Sequence, residues 1–224
     1  AYERTSSLVG SEMCIRDRSP MKPEDIEKQS FAIIEKELSP RTFPPGIGDI
    51  VKRGIHTTAA FSFADSLCFS DGAVEAGVAA MQAGCTIVTD TQMAKAGLNA
   101  AALARLSCRA VCYMADPAVA AEAKRRQCTR AAVSMEKART LSGPVLYALG
   151  NAPTALLTLC EEIEAGLSPA LVVGVPVGFV NAAESKERLT ALPVPYIVAR
   201  GRKGGSTVAA AICNALLYLA GGRG

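Results

Sequence analysis

The sequence is poor in histidine and in aromatic side chains. It contains one histidine, His56, no tryptophan, and only 5% aromatic residues. This scarcity argues against a nucleic-acid surface on which bases stack on rings. With one imidazole and no Cys-x-x-Cys pair among eight cysteines, the chain also lacks the usual ligand spacing of a metal site. We therefore expect no nucleic-acid partner and no bound metal.

Long apolar runs and secretion signals are also missing. No apolar stretch reaches the ~18 residues that a membrane-spanning helix needs, so we expect no membrane association. Without a signal peptide, most of the eight cysteines are predicted to be reduced core thiols of a cytoplasmic protein. Half of the residues are apolar and 20% are charged, which excludes a largely disordered chain.

The first 20 residues are predicted to be a non-native or disordered extension. The stretch "SSLVGSEMCIRDR", from Ser6 to Arg18, resembles translated sequencing-adaptor sequence and fits neither helical nor strand spacing. Met21 is the expected start. No linker divides the remainder, so residues 21–224 are predicted to form a single domain.

Apolar strands alternate with helices through the rest of the chain. Five short apolar runs are each followed by a helical pattern: "CTIVTD", "RAVCYMAD", "PVLYALG", "ALVVGVPV" and "PYIVARG". Continuous apolar strands are typical of a parallel sheet that is covered on both faces. We predict a three-layer α/β/α fold with a mainly parallel sheet of about five strands. A short helix before the first of these strands is expected to end at or near His56.

Glycine, asparagine and basic residues follow several of these strands. Parallel strands end at one edge of the sheet, where ligands of such folds bind. "GNAPT" places Asn151 at a helix start, and "GRKGGST" joins two glycines to two basic residues at another. Flexible backbone, a helix start and basic charge favour an anion. The candidate ligands of this second turn are Arg202, Lys203, Gly204, Gly205 and Ser206, although ordinary turn chemistry without a ligand also explains both motifs.

Thr129 and Arg130 form a further anion-friendly helix start, after the basic run from Lys124 to Arg126. Two such turns at one edge suggest a ligand with several negative groups. An α/β enzyme acting on a phosphorylated metabolite is one interpretation of the glycine-rich turns.

His56 could be catalytic or structural. Histidine is the side chain best suited to proton transfer near neutral pH. No spacing typical of a catalytic triad accompanies it, so the residues alone leave both readings open.

Seven motifs together resemble the precorrin-8X methylmutase (precorrin isomerase) family, especially its cobalt-handling, anaerobic-pathway form. The resemblance extends from about Ile26 to Leu217. Its motifs are "SFAII", "IHTTA", "VTDTQMAKAG", "TRAA", "GNAPTAL", "VGVPVGFVNAAESKE" and "GRKGGSTVAAAICNALL".

The resemblance implies an α/β homodimer that moves a methyl group from C11 to C12 of a corrinoid ring, giving the cobyrinate skeleton in cobalamin biosynthesis. It implies His56 as the proton-transferring catalytic residue. No cofactor is expected, and any cobalt is carried by the substrate. The matching motifs nominate as substrate contacts Ser30, Thr129, Arg130 and Asn151, and less directly Asn181, Ser185 and the turn from Gly201 to Ser206.

One segment departs from the family pattern. Where cobalt-pathway members usually read "TTADFDY" after the histidine, this chain reads "TTAAFSF". Ala60, Ser62 and Phe63 thus replace two acids and a tyrosine. If those acids orient the imidazole, turnover would be impaired. The alternative hypothesis is therefore a corrinoid-binding protein that retains the site with reduced activity.

Overall fold

The computed structural model describes residues 22–221. The predicted extension, residues 1–20, lies outside them. The chain divides into two compact units, one ending at Pro40 and the other beginning at Arg41. The single domain predicted for residues 21–224 stays a prediction.

The described part of the first unit contains helix α1, Pro23–Leu38. Proline in the first turn suits a helix start, because its missing N–H group would have no intrahelical partner there. Ser30 lies half-buried in the middle of this helix, and its hydroxyl donates to the carbonyl oxygen of Ile26 over 2.9 Å. The predicted substrate contact thus makes a bond within its own helix.

The second unit is built around a six-stranded sheet. Its strands are β1 Leu67–Phe69, β2 Thr86–Thr89, β3 Arg109–Val111, β4 Val145–Leu149, β5 Leu171–Gly174 and β6 Tyr196–Ala199. Their order across the sheet is β1-β6-β5-β4-β2-β3. All neighbouring pairs are parallel except β1 with β6, which is antiparallel.

Ten helices of the second unit connect or flank these strands. They are α2 Ile47–Thr58, α3 Phe63–Ser66, α4 Ala73–Gln82, α5 Gln92–Ala96, α6 Ala100–Arg105, α7 Pro117–Arg126, α8 Arg130–Ala138, α9 Pro153–Glu164, α10 Ala182–Thr190 and α11 Ser206–Gly221. None of the helices in the described ranges is long and apolar enough to cross a membrane. The cytoplasmic location stays a prediction.

The predicted parallel α/β architecture is confirmed, and all five predicted strands are present. Strand β1 and helices α3 and α6 were not predicted from the sequence. Strand β1 has three residues, and its register pairs Leu67 with Ala199 at the end of β6. So short a segment cannot display a periodic pattern, and its pairing partner lies far away in the chain.

The sheet is covered on both faces. Helices α2, α4 and α11 pack together on one face, and α8, α9 and α10 pack together on the other. Side chains alternate along β4, so Tyr147 and Leu149 join the core formed with α8 and α9. Every residue of β4 and β5 is buried, which explains why both strands are apolar throughout.

Tyr147 presents an exception inside that core. Its side chain is fully buried, and its hydroxyl has no hydrogen-bond partner among the described residues. Burial raises the pKa of this hydroxyl to about 12. A buried hydroxyl without a partner loses its bonds to water and gains nothing in return.

We expect Tyr147→Phe to leave the protein as stable as the wild type or to stabilise it by up to ~1 kcal/mol, because the variant removes an unsatisfied polar group and keeps the ring. Urea unfolding measures the change. As a control, Leu159→Ala in the same core should destabilise by roughly 2–5 kcal/mol. A comparable loss in Tyr147→Phe would show that the hydroxyl has a stabilising partner.

Candidate active site

Asp90 organises the turn that follows β4. It lies directly after β2, is 1% exposed, and accepts three backbone N–H groups. The donors are Gly150 over 3.0 Å, Asn151 over 2.7 Å and Ala152 over 2.7 Å. These groups precede α9, where a negative charge is also favoured by the helix dipole. The buried carboxylate therefore holds the backbone of the "GNAP" turn from the protein interior, and Asn151 is exposed.

Three backbone segments meet at the carboxyl edge of the sheet, the side on which β2 to β6 end. A Cβ added to Gly150 would lie 2.6 Å from the carbonyl oxygen of Gly205. A Cβ added to Gly204 would lie 2.0 Å from the carbonyl oxygen of Val175. The N–H group of Gly205 donates to the same Val175 oxygen over 2.9 Å. Only glycine permits this approach, and the glycine turn, residues 201–205, is thereby held against the segments after β4 and β5.

A buried lysine supports the glycine turn. Lys186 of α10 is 0% exposed, and its ammonium donates to the carbonyl oxygens of Gly201 and Lys203, each over 2.8 Å. Burial lowers the pKa of Lys186 to about 8, because the charged form loses its hydration. Its neighbour Ser185 is also fully buried, and its hydroxyl donates to the carbonyl oxygen of Ala182 over 3.1 Å.

Ser206 begins α11 and is 9% exposed. Its hydroxyl shares a 2.8 Å hydrogen bond with the hydroxyl of Thr91, which also accepts the N–H group of Ala94 as the cap of α5. This bond ties the start of α11 to the segment after β2. Ser206 and Ser185 were both predicted to contact substrate, but the structure places each hydroxyl in an internal hydrogen bond.

The starts of α8 and α9 lie side by side. Thr129 caps α8 by accepting the N–H group of Ala132 over 3.1 Å, and its hydroxyl donates to that of Thr154 in α9 over 3.1 Å. Arg130 is exposed and donates to the carbonyl oxygen of Met114 over 3.3 Å. Thr129 and Arg130 therefore lie close to the first turn of α9. This helix begins at Pro153, two residues after Asn151.

His56 lies in the last turn of α2 and is exposed. Its neighbour Thr57 lines a cleft of about 220 Å³ together with Thr207 of α11. The segment after α2 also contacts the glycine turn, since the Lys203 ammonium donates to the Ser62 hydroxyl over 2.7 Å. The bond ties the segment after α2 to the glycine turn, and the cleft brings the last turn of α2 beside the first turn of α11.

The segment between β5 and α10 carries exposed apolar side chains. Phe179 and Val180 are 84% and 77% exposed. The Arg202 guanidinium lies 5.5 Å from the centre of the Phe179 ring, and the N–H group of Gly178 donates to the Arg202 carbonyl oxygen over 3.2 Å. Asn181 follows in the left-handed conformation at the start of α10 and is exposed. This segment adds an apolar surface beside the basic glycine turn.

Together these groups form a basic edge at which several helices begin. Arg130, Arg202 and Lys203 are exposed there, and α8, α9 and α11 begin there. Between residues 22 and 221, no cluster of His, Cys, Asp and Glu could hold a metal ion. The arrangement suits a ligand with an apolar body and several carboxylates.

Comparison with known proteins decides the family. The family profile of precorrin-8X methylmutase matches residues 25–219. The chain belongs to the precorrin-8X methylmutase family. It is 47% identical to the cobalt-precorrin-8 methylmutase of Salmonella typhimurium, covering 88% of this chain and 95% of that protein. It is 43% identical to the cobalt-precorrin-8 methylmutase of Leptospira interrogans, covering 89% of this chain and 95% of that protein.

A solved structure agrees with this assignment. The precorrin-8X methylmutase from Thermus thermophilus superposes with a TM-score of 0.83 at 44% identity. The match covers 88% of this chain and 96% of that one. The resemblance on which the sequence analysis relied is therefore confirmed at the level of both sequence and fold.

The two buried charges of this methylmutase-family chain were not predicted from the sequence. Asp90 is the last residue of "CTIVTD", and nothing local distinguishes it from a helix-capping residue. Lys186 lies in "NAAESKE", where it looks like one charge of a solvated helix face. A buried lysine is unusual, and only packing reveals it.

Asp90→Asn should destabilise the protein by about 2–3 kcal/mol, because an amide nitrogen would face an N–H donor and the charge beside α9 would be lost. Chemical denaturation measures the change. Asp116→Asn is the matched control: Asp116 caps α7 at a more exposed position, where it accepts the N–H group of Ala118. Equal losses in both variants would contradict the role assigned to Asp90.

Lys186 should give a pH-dependent contribution to stability. The folded protein releases its proton near pH 8, and the unfolded chain near its ordinary value of 10.5. The unfolded state therefore binds more protons between these values, so the free energy of unfolding rises with pH in that window. Relative to Lys186→Met, we expect the wild type to gain about 1 kcal/mol between about pH 7 and 9. A pH-independent difference in urea unfolding would contradict this expectation.

Proposed function

We propose that this protein is a corrinoid isomerase, which converts cobalt-precorrin-8 to cobyrinate by moving a methyl group from C11 to C12 of the ring. The relatives named cobalt-precorrin-8 methylmutase, at 43% and 47% identity over most of the chain, support this activity. They also support a substrate that carries cobalt.

One observation supports the reaction most directly: the only histidine of the chain lies in the last turn of a helix, and the segment after that helix is bonded to the basic glycine turn. The Lys203 ammonium donates to the Ser62 hydroxyl over 2.7 Å. A substrate bound through its carboxylates at the turn would thus bring its ring toward the imidazole.

In this mechanism the protein binds the ring and transfers one proton. His56 delivers a proton to the conjugated macrocycle, or takes one from it, and so sets the tautomer in which the methyl group can shift. The migrating methyl is already on the ring and moves within it, so substrate and product have the same composition. No cofactor takes part in this proposal. Fixing one reactive tautomer in one orientation supplies the remaining rate enhancement.

The proposed substrate contacts are six exposed residues of the edge and two half-buried glycines. The exposed residues are Thr129, Arg130, Asn151, Asn181, Arg202 and Lys203, and the glycines are Gly204 and Gly205. Ser30 enters the proposal through the family resemblance alone. Ser185 and Ser206 are assigned instead to holding the turns, because each is buried and internally hydrogen-bonded. A homodimer with sites near the subunit interface belongs to the same proposal.

The alternative is a corrinoid-binding protein with impaired turnover, based on Ala60, Ser62 and Phe63. The structure gives two of these residues ordinary roles. Phe63 is 3% exposed and fills the core, and the Ser62 hydroxyl accepts a hydrogen bond from the Lys203 ammonium. Since Ser62 still connects the histidine segment to the glycine turn, we favour an active enzyme.

Purified protein should convert cobalt-precorrin-8, as followed by its visible spectrum. His56→Ala should lower the rate by at least ~10²-fold, because the proton-transferring group is removed, while the variant still binds the ring. Asp49→Asn, in the first turn of the same helix, is the matched control and should retain the wild-type rate.

Three outcomes separate the hypotheses. A bound spectrum without conversion by the wild type would identify a corrinoid-binding protein. No spectral change at all would contradict corrinoid recognition. An unchanged rate in His56→Ala would exclude His56 from the mechanism.

A further inference from the structure

We propose that Lys186 is a positioning residue, which turns the backbone N–H groups of Arg202 and Gly204 outward as a site for a carboxylate of the macrocycle. This inference rests on the proposed function and assigns a specific contact within it. It concerns a fully buried side chain that touches no substrate itself.

The carbonyl groups of Gly201 and Lys203 both point toward Lys186. The ammonium lies 2.8 Å from the carbonyl oxygens of Gly201 and of Lys203. Both oxygens therefore point inward, toward a side chain that is 0% exposed. Between them, Arg202 directs its own carbonyl oxygen to the N–H group of Gly178.

Peptide geometry fixes the direction of the N–H groups of Arg202 and Gly204. In a trans peptide the C=O and N–H groups point in opposite directions. The bonds that follow Gly201 and Lys203 are trans. The N–H groups of Arg202 and Gly204 must therefore point away from the buried ammonium. Neither N–H group donates to an acceptor within residues 22–221.

The N–H groups of Arg202 and Gly204 point toward the surface of the glycine turn. Arg202 and Lys203 are exposed, so the outward side of the turn is the basic surface of the carboxyl edge. Gly204 has no side chain to cover its N–H group. Two N–H groups on alternate residues, flanked by two cations, suit the two oxygens of a carboxylate.

Lys186→Met tests the proposal, because methionine has a similar length but donates no hydrogen bond. We expect the variant to bind cobyrinate about tenfold more weakly in a visible-spectrum titration, since the two N–H groups lose their orientation. In the conversion of cobalt-precorrin-8, KM should rise about tenfold and kcat should stay within about threefold, because His56 is unchanged. Fully methyl-esterified cobyrinate, which has the ring without its carboxylates, should bind equally well to wild type and variant.

Arg188→Met is the matched control. Arg188 lies on the same helix and pairs with Glu161 and Glu164. Its replacement should leave the Kd for cobyrinate within about twofold of wild type. A purely structural role for Lys186 would lower the Tm of Lys186→Met without changing its Kd, and an unchanged Kd would overturn the proposal.

A second measurement uses the wild-type protein, in case Lys186→Met does not fold. In ¹H–¹⁵N NMR spectra, diamagnetic Co(III) cobyrinate should move the amide resonances of Arg202 and Gly204 downfield, as expected for new hydrogen bonds. Unmoved resonances in protein whose visible spectrum shows bound cobyrinate would overturn this inference alone. Absence of any binding to the wild type would instead contradict the proposed function.

Discussion

The close contact of backbone segments at the carboxyl edge is the constraint on which the site depends. Gly204 lies so near the Val175 carbonyl oxygen that a Cβ would fall 2.0 Å from it, and Gly150 approaches Gly205 almost as closely. Side chains are thereby excluded between the turns after β4, β5 and β6. Backbone N–H groups and helix starts are exposed to a ligand instead, which suits the carboxylates of the proposed substrate.

Two buried charges of opposite sign stabilise this arrangement. Asp90 accepts the N–H groups before α9, and Lys186 donates to the carbonyl oxygens of the glycine turn. Within residues 22–221, the hydrogen-bond partners of both charges are peptide groups. Burying a charge is costly unless hydrogen bonds replace its hydration, so both residues hold their turns in one conformation. The exposed charges of the edge, Arg130, Arg202 and Lys203, remain available to a ligand.

The sequence difference after His56 affects the charge of the glycine turn. Ser62 stands where the family resemblance predicts an acid, and its hydroxyl accepts a hydrogen bond from Lys203. A neutral partner leaves more positive charge on the turn than an aspartate would. The segment that carries the histidine therefore keeps its connection to the glycine turn through a hydrogen bond rather than an ion pair.

The architecture follows from the sequence alone, and so does the expectation of a ligand site at the carboxyl edge. Continuous apolar runs such as β4 and β5 predict buried parallel strands, and parallel strands bring the following turns to one edge. Long-range packing decides which residues hold those turns and which face solvent. Asp90 and Gly150 are 60 residues apart, and Ser206 bonds to Thr91 across 115 residues. The spacing of apolar and capping residues along the chain indicates whether a segment is a helix or a strand and where it begins and ends. Burial of Lys186, Ser185 and Ser206 depends instead on neighbours that are distant in the chain.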